Sequence, residues 1–196
     1  MQYDVWAVTP STNDALFRSA ASIAGAGVIP LITYTVGANG TGYKLVFTSS
    51  GDDSGITFTV VGNRVGDVSG DATTEVVTGA NATTASTTNF YTNIVSITAS
   101  GASAGTVKIG TVGSLALPRC RIKGLYWVAS ATAGTIKVNR NSTTGLLLLQ
   151  INTPALATAV NSLYMAAEGI LTTKSTLNDF AIVTLTDVTA ATLICG

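Results

Sequence analysis

Short apolar runs that alternate with threonine fill the chain from residue 31 onward. Each run is rich in β-branched or aromatic residues, and glycine, asparagine, aspartate or serine separates it from the next at intervals of about ten residues. No long stretch shows helical periodicity. The clearest runs are LITYTV, YKLVFTS, ITFTVVGN, EVVTG, NIVSITAS, TVKIG, RIKGLYWVAS, TIKVNRN, GLLLLQINT and FAIVTLTD. The pattern predicts an all-β fold built from antiparallel sandwich-like or barrel-like modules.

The runs fall into two blocks separated by Pro118, which predicts two β modules at 31–116 and 117–196. Residues 1–30 precede them as an arm that is either irregular or a short helix, because possible N-cap residues stand before its apolar positions. The stretch 153–169 is equally ambiguous. It begins with Thr-Pro, which suits a helix start, but it also suits an extended connection.

One small phrase is repeated along the chain. AGTVKIG at 104–110 returns as AGTIKVN at 133–139, and a fainter echo, AATLICG, stands at 190–196. Each of the first two copies follows a strand-like run and a turn of small residues. Because small residues suit tight turns, each copy predicts a β-hairpin between the runs on its two sides.

Composition excludes several classes of function. Charged residues make up 10% of the chain, against about 25% in an average soluble domain, and the formal net charge is zero. A neutral chain is not expected to bind nucleic acid or a membrane surface. No apolar run approaches the about 18 residues of a membrane span, and the chain does not begin with a secretory signal pattern. Cys120 and Cys195 are expected to be buried thiols or a single bridge.

Candidate catalytic chemistry is sparse. The chain contains no histidine, which is the commonest general base and zinc ligand. GASAG matches the nucleophile-elbow spacing around Ser103, but without a base it is interpreted as a turn. A glycosidase would need two acids at a fixed separation, and Glu75 and Glu168 are the only glutamates. We therefore expect no enzyme, no cofactor and no metal.

Acidic residues gather in the first module, where Asp52, Asp53, Asp67, Asp71 and Glu75 lie close in sequence. Aspartates in GDDSG and GDVSGD are typical of turns, in which the side chain bonds to nearby backbone. A calcium site near the four aspartates stays open at this point, although the EF-hand spacing is absent.

Basic residues gather later in the chain, and RCRIK places Arg119, Arg121 and Lys123 on one face of a predicted strand. Cys120 and Ile122 would then point to the core. The three cations either protect a solvated edge strand or form a docking face for an acidic partner.

Residues 50–111 carry a resemblance to a known class of protein. This part of the chain resembles a β module common in small structural proteins of tailed bacteriophages. The segments that carry the resemblance are, in order, SGDDSGITFTVVGN, TEVVTGANATTASTTNF and IVSITASGASAGTVKIGT. The second half, with GLYWVASATAGTIKV and EGILTT, also resembles a module of this type. NRVGDVSGDAT departs from the usual pattern of the turn at that place.

The resemblance implies a virion structural protein without catalytic residues. We expect a capsid decoration (cement) protein that is assembled in the bacterial cytoplasm and sits as a trimer on the major capsid protein. Trp6, Leu16 and Phe17 in the arm are its candidate anchors, since large aromatic residues favour interface hot spots. The alternative is a tail, baseplate or fibre component that binds host glycans, for which Tyr126 and Trp127 are the adjacent aromatic pair outside Phe90 and Tyr91.

Overall fold

The computed structural model describes residues 4–8, 13–34, 36, 40–67, 70–118, 121–155, 160–164, 170–171 and 181–195. Within these ranges the chain forms sixteen β-strands and no helix, which confirms the all-β prediction. No helix in the described part is long and apolar enough to cross a membrane. The strands are β1 (Asp4–Val8), β2 (Arg18–Ser22), β3 (Gly27–Val28), β4 (Gly42–Ser49), β5 (Thr57–Arg64), β6 (Thr73–Thr78), β7 (Thr84–Ser86), β8 (Tyr91–Ala99), β9 (Thr106–Leu117), β10 (Arg121–Ala129), β11 (Gly134–Arg140), β12 (Leu147–Thr153), β13 (Val160–Tyr164), β14 (Ile170–Leu171), β15 (Ala181–Thr186) and β16 (Val188–Cys195).

The chain divides into two compact units. Unit 2 comprises residues 11–112, and unit 1 comprises residues 1–10 together with residues 113–196. Residues 1–30, predicted as an arm, are therefore shared between the two units. In the described part of that segment, β2 and β3 stand where the sequence also allows a short helix. Within the ambiguous stretch 153–169, the described residues 160–164 form strand β13.

Unit 2 is organised around neighbouring antiparallel strands in the order β9-β4-β8-β5-β6. Strand β2 adds to β9, β3 adds to β8, and β7 adds to β4. Successive side chains of a strand point to opposite faces of the sheet, so every second residue faces the core. In β5, for example, Phe58 and Val60 are fully buried, while Thr57 and Thr59 are only partly buried.

The core of unit 2 is aromatic at its centre. The rings of Phe47 and Phe58 stack with their centroids 4.7 Å apart and their planes 8° from parallel. Offset aromatic contacts of this kind contribute about 0.5–1.5 kcal/mol beyond the area that they bury. Buried residues packed with them are Phe17, Ile23, Ile29, Val36, Leu45, Val60, Val77, Tyr91, Ile94, Ile97, Ala99, Val107 and Ile109.

Unit 1 contains two antiparallel groups of strands. One has the order β1-β16-β10-β13, with β14 also paired to β10, and the other has β12-β11-β15 followed by the end of β9. Its buried apolar residues alternate along the strands in the same way, as Ile136 and Val138 do in β11. The chain crosses between the two groups several times, for example between β10 and β11 and between β15 and β16.

The two predicted hairpins are wrong, because the strands on either side of each repeated phrase do not pair. Among the described strands, β8 and β9 are separated by β4, and β10 and β11 belong to different groups. The physical reason is a close backbone approach at the glycine of each phrase. A Cβ on Gly105 would lie 2.9 Å from the backbone nitrogen of Gly51, and one on Gly134 would lie 2.2 Å from the Thr186 carbonyl oxygen. The phrase marks two places where the chain crosses another segment rather than folding back on itself.

Candidate functional site

Three loops of unit 2 meet at one place, which we call the three-loop junction. The loops are residues 50–56 between β4 and β5, residues 79–83 between β6 and β7, and residues 100–105 between β8 and β9. The backbone N–H of Ala82 donates to the carbonyl of Gly51 at 2.8 Å, which joins the first two loops. The junction brings together GDDSG, GANAT and GASAG, the segments that carry the resemblance.

Asp53 ties the three loops together from the inside. Its side chain is 1% exposed, and its Oδ1 accepts a hydrogen bond from the Ala104 N–H at 2.7 Å. Its own N–H donates to the carbonyl of Ala80 at 3.0 Å. Burying a carboxylate costs free energy unless it is hydrogen-bonded, and these bonds offset part of that cost. The same bonds connect the three loops. Its role here is structural.

Ser103 is engaged in the same junction. Its hydroxyl donates to the carbonyl of Gly105 and accepts from the backbone N–H of Ile23 at 2.9 Å. The N–H of Ser103 in turn donates to the carbonyl of Ile23 at 2.9 Å. The hydroxyl of GASAG therefore clamps the turn to the segment after β2.

Two other aspartates of the cluster, Asp52 and Asp67, make separate local contacts. Asp52 is exposed and accepts from the Ser54 N–H at 3.1 Å and the Ser54 hydroxyl at 2.6 Å, and these bonds lower the pKa of its carboxyl group. Asp67 forms an ion pair with Arg64 at 3.7 Å. Within the described ranges, no three residues of the types His, Cys, Asp and Glu converge into a group that could hold a metal ion.

Glu75 connects β6 to the segment that leads into β8. Its carboxylate accepts from the backbone N–H of Thr88, from the Asn89 N–H at 3.2 Å and side-chain amide at 2.9 Å, and from the Tyr91 hydroxyl at 3.1 Å. Burial, and secondarily the negative charge of Glu75, raises the pKa of Tyr91 well above its usual range. Sequence reasoning placed Glu75 among the acids but did not predict this network.

The predicted anchors of the arm lie in different surroundings. Phe17 is completely buried in the core of unit 2, and Leu16 packs against that core. The Phe17 side chain is therefore committed to the fold of this chain, whereas Leu16 keeps part of its surface exposed. Trp6 lies in β1, where its backbone is opposite Leu193 of β16.

The basic candidates lie on or beside β10. Arg121 and Lys123 belong to this strand, and Arg119, like Cys120, lies outside the described residues. The interpretation of β10 as an edge strand is wrong, because it pairs with β16 on one side and with β13 and β14 on the other. The predicted inward position of Ile122 is confirmed, since this residue is fully buried while Lys123 is partly buried.

The adjacent aromatic pairs do not form an exposed platform. Phe90 is 5% exposed and Tyr91 is fully buried, while Tyr126 and Trp127 are both partly buried in β10. Neighbouring residues of a strand face opposite sides, but Phe90 precedes the first residue of β8, and both rings of the first pair are buried.

A surface that sequence reasoning missed lies on the outward side of unit 2. Strand register aligns Val28 of β3 with Thr98 of β8, Thr98 with Thr59 of β5, and Thr59 with Val76 of β6. Val28 is 68% exposed and Val76 is 61% exposed. We call this row, together with the parallel row of Ser96, Val61 and Thr74 and the neighbouring Val95, the uncharged face.

The signal for this face was present in the sequence. Neighbouring residues in a strand point to opposite sides, so a Val-Val pair must place one valine outward. Val76 and Val77 show this directly, since Val77 is 5% exposed and Val76 is mainly exposed. Val95 is 52% exposed next to buried Ile94, at a register shift in the pairing of β8 with β5.

Comparisons with family models, with curated proteins and with solved structures found no match to this chain. What the protein does must therefore be inferred from its own residues and from the resemblance carried by the junction segments.

Proposed function

We propose that the chain is a structural protein of a tailed-bacteriophage virion. More specifically, it is a capsid decoration (cement) protein that binds the major capsid protein and stabilises the head. It works as a homo-oligomer, most simply a trimer, without catalysis, a cofactor, nucleic acid or a membrane. It takes its place on the virion after assembly in the bacterial cytoplasm.

The observation that carries this proposal is the uncharged face. Three valines, Val28, Val76 and Val95, are more than half exposed there among threonine and serine. Burying such a surface against a partner gains about 25 cal/mol per Å² of apolar area. It does so without the desolvation penalty that charged groups would impose.

Rigidity supports the same role. The hydrogen bonds of Asp53, Ser103 and Glu75 fix the loops around the sheet, so little conformational freedom remains to be lost on binding. A decoration protein repeats one contact many times over the head, and a preorganised surface suits that task. The junction segments are also the ones that resemble phage structural modules.

The tail or fibre alternative has less support. Glycan binding on a fibre commonly uses an exposed aromatic surface, and both rings of the Phe90–Tyr91 pair are buried. Tyr126 and Trp127 are partly buried within a strand that is paired on both sides.

The proposal is tested by reconstitution. Phage heads lacking this chain are titrated with the purified full-length protein, and the bound amount is measured after sedimentation. Val28→Asp should weaken binding at least about ten-fold, which corresponds to 1.4 kcal/mol. Leu146→Asp is the matched control, since Leu146 is 66% exposed and Val28 is 68% exposed. If the wild-type protein fails to bind heads, or if Val28→Asp binds as tightly as wild type, the proposal fails.

A further inference from the structure

Strand β6 forms an open edge of unit 2. It pairs with β5 in an uninterrupted register that runs from Thr57 opposite Thr78 to Gly62 opposite Thr73. It is the last strand in its sheet order, and no other described strand pairs with its second side. An edge of this kind presents unpaired backbone groups to solvent.

The hydrogen-bonding direction of each β6 residue follows from the ladder. The Gly79 N–H donates to the carbonyl of Ile56 at 2.9 Å, which fixes the phase of the antiparallel pairing with β5. Because hydrogen-bonded and non-hydrogen-bonded pairs alternate along such a ladder, Thr74, Val76 and Thr78 direct their backbone groups away from β5. All three residues are exposed.

This edge lacks most of the devices that usually prevent strand pairing between molecules. Those devices are charged side chains, especially lysine, together with proline, bulges and inward-pointing charged residues. The sequence of β6 is TTEVVT, and its pairing with β5 contains no register shift. Its single charge, on Glu75, is occupied by Asn89 and Tyr91 of the same unit. The chain as a whole carries no net charge, so two copies do not repel each other.

We propose that β6 pairs with β6 of a second copy of this chain. The pairing is antiparallel, with a two-fold axis at Val76. In this register Val76 is opposite Val76 of the second copy, and Thr74 is opposite Thr78. All the outward backbone groups of these three residues are then hydrogen-bonded, and β-branched residues face each other across the new ladder, which is a favourable arrangement.

The competing register is disfavoured by charge. A two-fold axis at Glu75 would place the two Glu75 carboxylates on directly opposite positions, where like charges destabilise a sheet. It would also leave the backbone groups of Thr78 outside the overlap of the two strands. The Val76 register avoids both costs.

The contact extends the uncharged face across two molecules. The row that runs from Val28 through Thr98 and Thr59 to Val76 would continue into the same row of the second copy. The inference does not depend on the proposed capsid role, since it concerns the free protein. An isologous contact builds a dimer, so a trimer would need a different surface.

Sedimentation velocity of the full-length protein over a range of concentrations tests the pairing. The wild-type chain should populate a dimer as the concentration rises. Val76→Lys should raise the dimer dissociation constant at least about ten-fold, because two lysines would then oppose each other at the axis. Val95→Lys is the control, since it makes the same change at an exposed valine on the same face but away from the edge. A dimer that survives Val76→Lys unchanged overturns the proposal.

Cysteine cross-linking tests the register. Directly opposite residues in a hydrogen-bonded pair have Cα atoms about 5.5 Å apart, a separation that a disulfide spans. Val76→Cys should therefore give a covalent dimer under mild oxidation, whereas Thr74→Cys should not, because two copies of residue 74 lie far apart in this register. The wild-type chain, with Cys120 and Cys195, sets the background. Failure of Val76→Cys to exceed that background, or equal cross-linking by Thr74→Cys, overturns the register.

Discussion

The buried carboxylate of Asp53 accepts a hydrogen bond of 2.7 Å from the backbone N–H of Ala104, a residue that lies 51 positions later in the chain. This bond joins two loops that are distant in sequence and that both carry the resemblance to phage modules. It explains why an aspartate follows the exposed Asp52 in GDDSG. Asp52 caps a turn, and Asp53 holds the three-loop junction.

Replacing Asp53 should therefore lower the free energy of unfolding more than replacing Asp52. Asp53→Ala removes the acceptor of a buried N–H, and we expect a loss of about 1–3 kcal/mol in the free energy of unfolding. Asp52→Ala should cost clearly less, because that side chain is exposed. Urea denaturation of both variants measures the difference. Equal losses would contradict the structural role of the junction.

Phe17 gives a second prediction, which separates a core residue from a surface anchor. Phe17→Ala should destabilise the protein by about 3–5 kcal/mol, as expected for a phenylalanine deleted from a core. Ile32→Ala is the control, since Ile32 is 70% exposed. Thermal unfolding followed by circular dichroism makes the comparison, and a stable Phe17→Ala protein would refute the burial of this residue.

The repeated glycines give a third prediction. Gly134→Ala should destabilise the protein by about 1–3 kcal/mol, since the added methyl group would press against the backbone of Thr186. Gly113→Ala should be nearly neutral, because no atom lies within 4 Å of a Cβ at that position. Denaturation midpoints of the two variants test this directly. A neutral Gly134→Ala would mean that the two segments do not cross closely.

The fourth prediction concerns alkaline pH and Tyr91. Burial and Glu75 raise its folded-state pKa, so above about pH 10, the usual tyrosine pKa, the unfolded state loses a proton that the folded state retains. Stability from this group is therefore complete below pH 10 and is lost as the pH rises further. Tyr91→Phe should show a shallower fall in unfolding free energy between pH 9 and pH 11 than wild type. Parallel curves for the two proteins would contradict the assignment.

Local structure was predictable from the sequence, and strand pairing was not. ITFTVVGN, residues 56–63, coincides with the strand Thr57–Arg64 to within one residue at each end, and NIVSITAS, residues 93–100, overlaps most of Tyr91–Ala99, because period-2 alternation is a local property. The described residues of LITYTV, 31–34 and 36, lie in no strand, although Tyr34 and Val36 form backbone hydrogen bonds with Ile94 and Thr92. The prediction of two hairpins failed because a glycine such as Gly105 or Gly134 suits both a tight turn and a close crossing of two segments. Which of the two forms depends on segments that are distant in the sequence.

The candidate site was predictable only in part. GDDSG and GASAG were singled out correctly as turn segments, but nothing local indicates that Asp53 points inward while Asp52 points to solvent. The cations of RCRIK suggested an edge strand, yet β13 and β14, which lie far along the chain, cover that side of β10. The partner of a strand is a property of the whole fold.

The most direct test of the proposed function is the number of copies of this chain in a purified phage particle. Quantitative mass spectrometry against the major capsid protein measures it. A copy number comparable to that of the major capsid protein is the result expected of a decoration protein. A handful of copies per particle, or none, would contradict the capsid role, and a handful would place the chain at the tail.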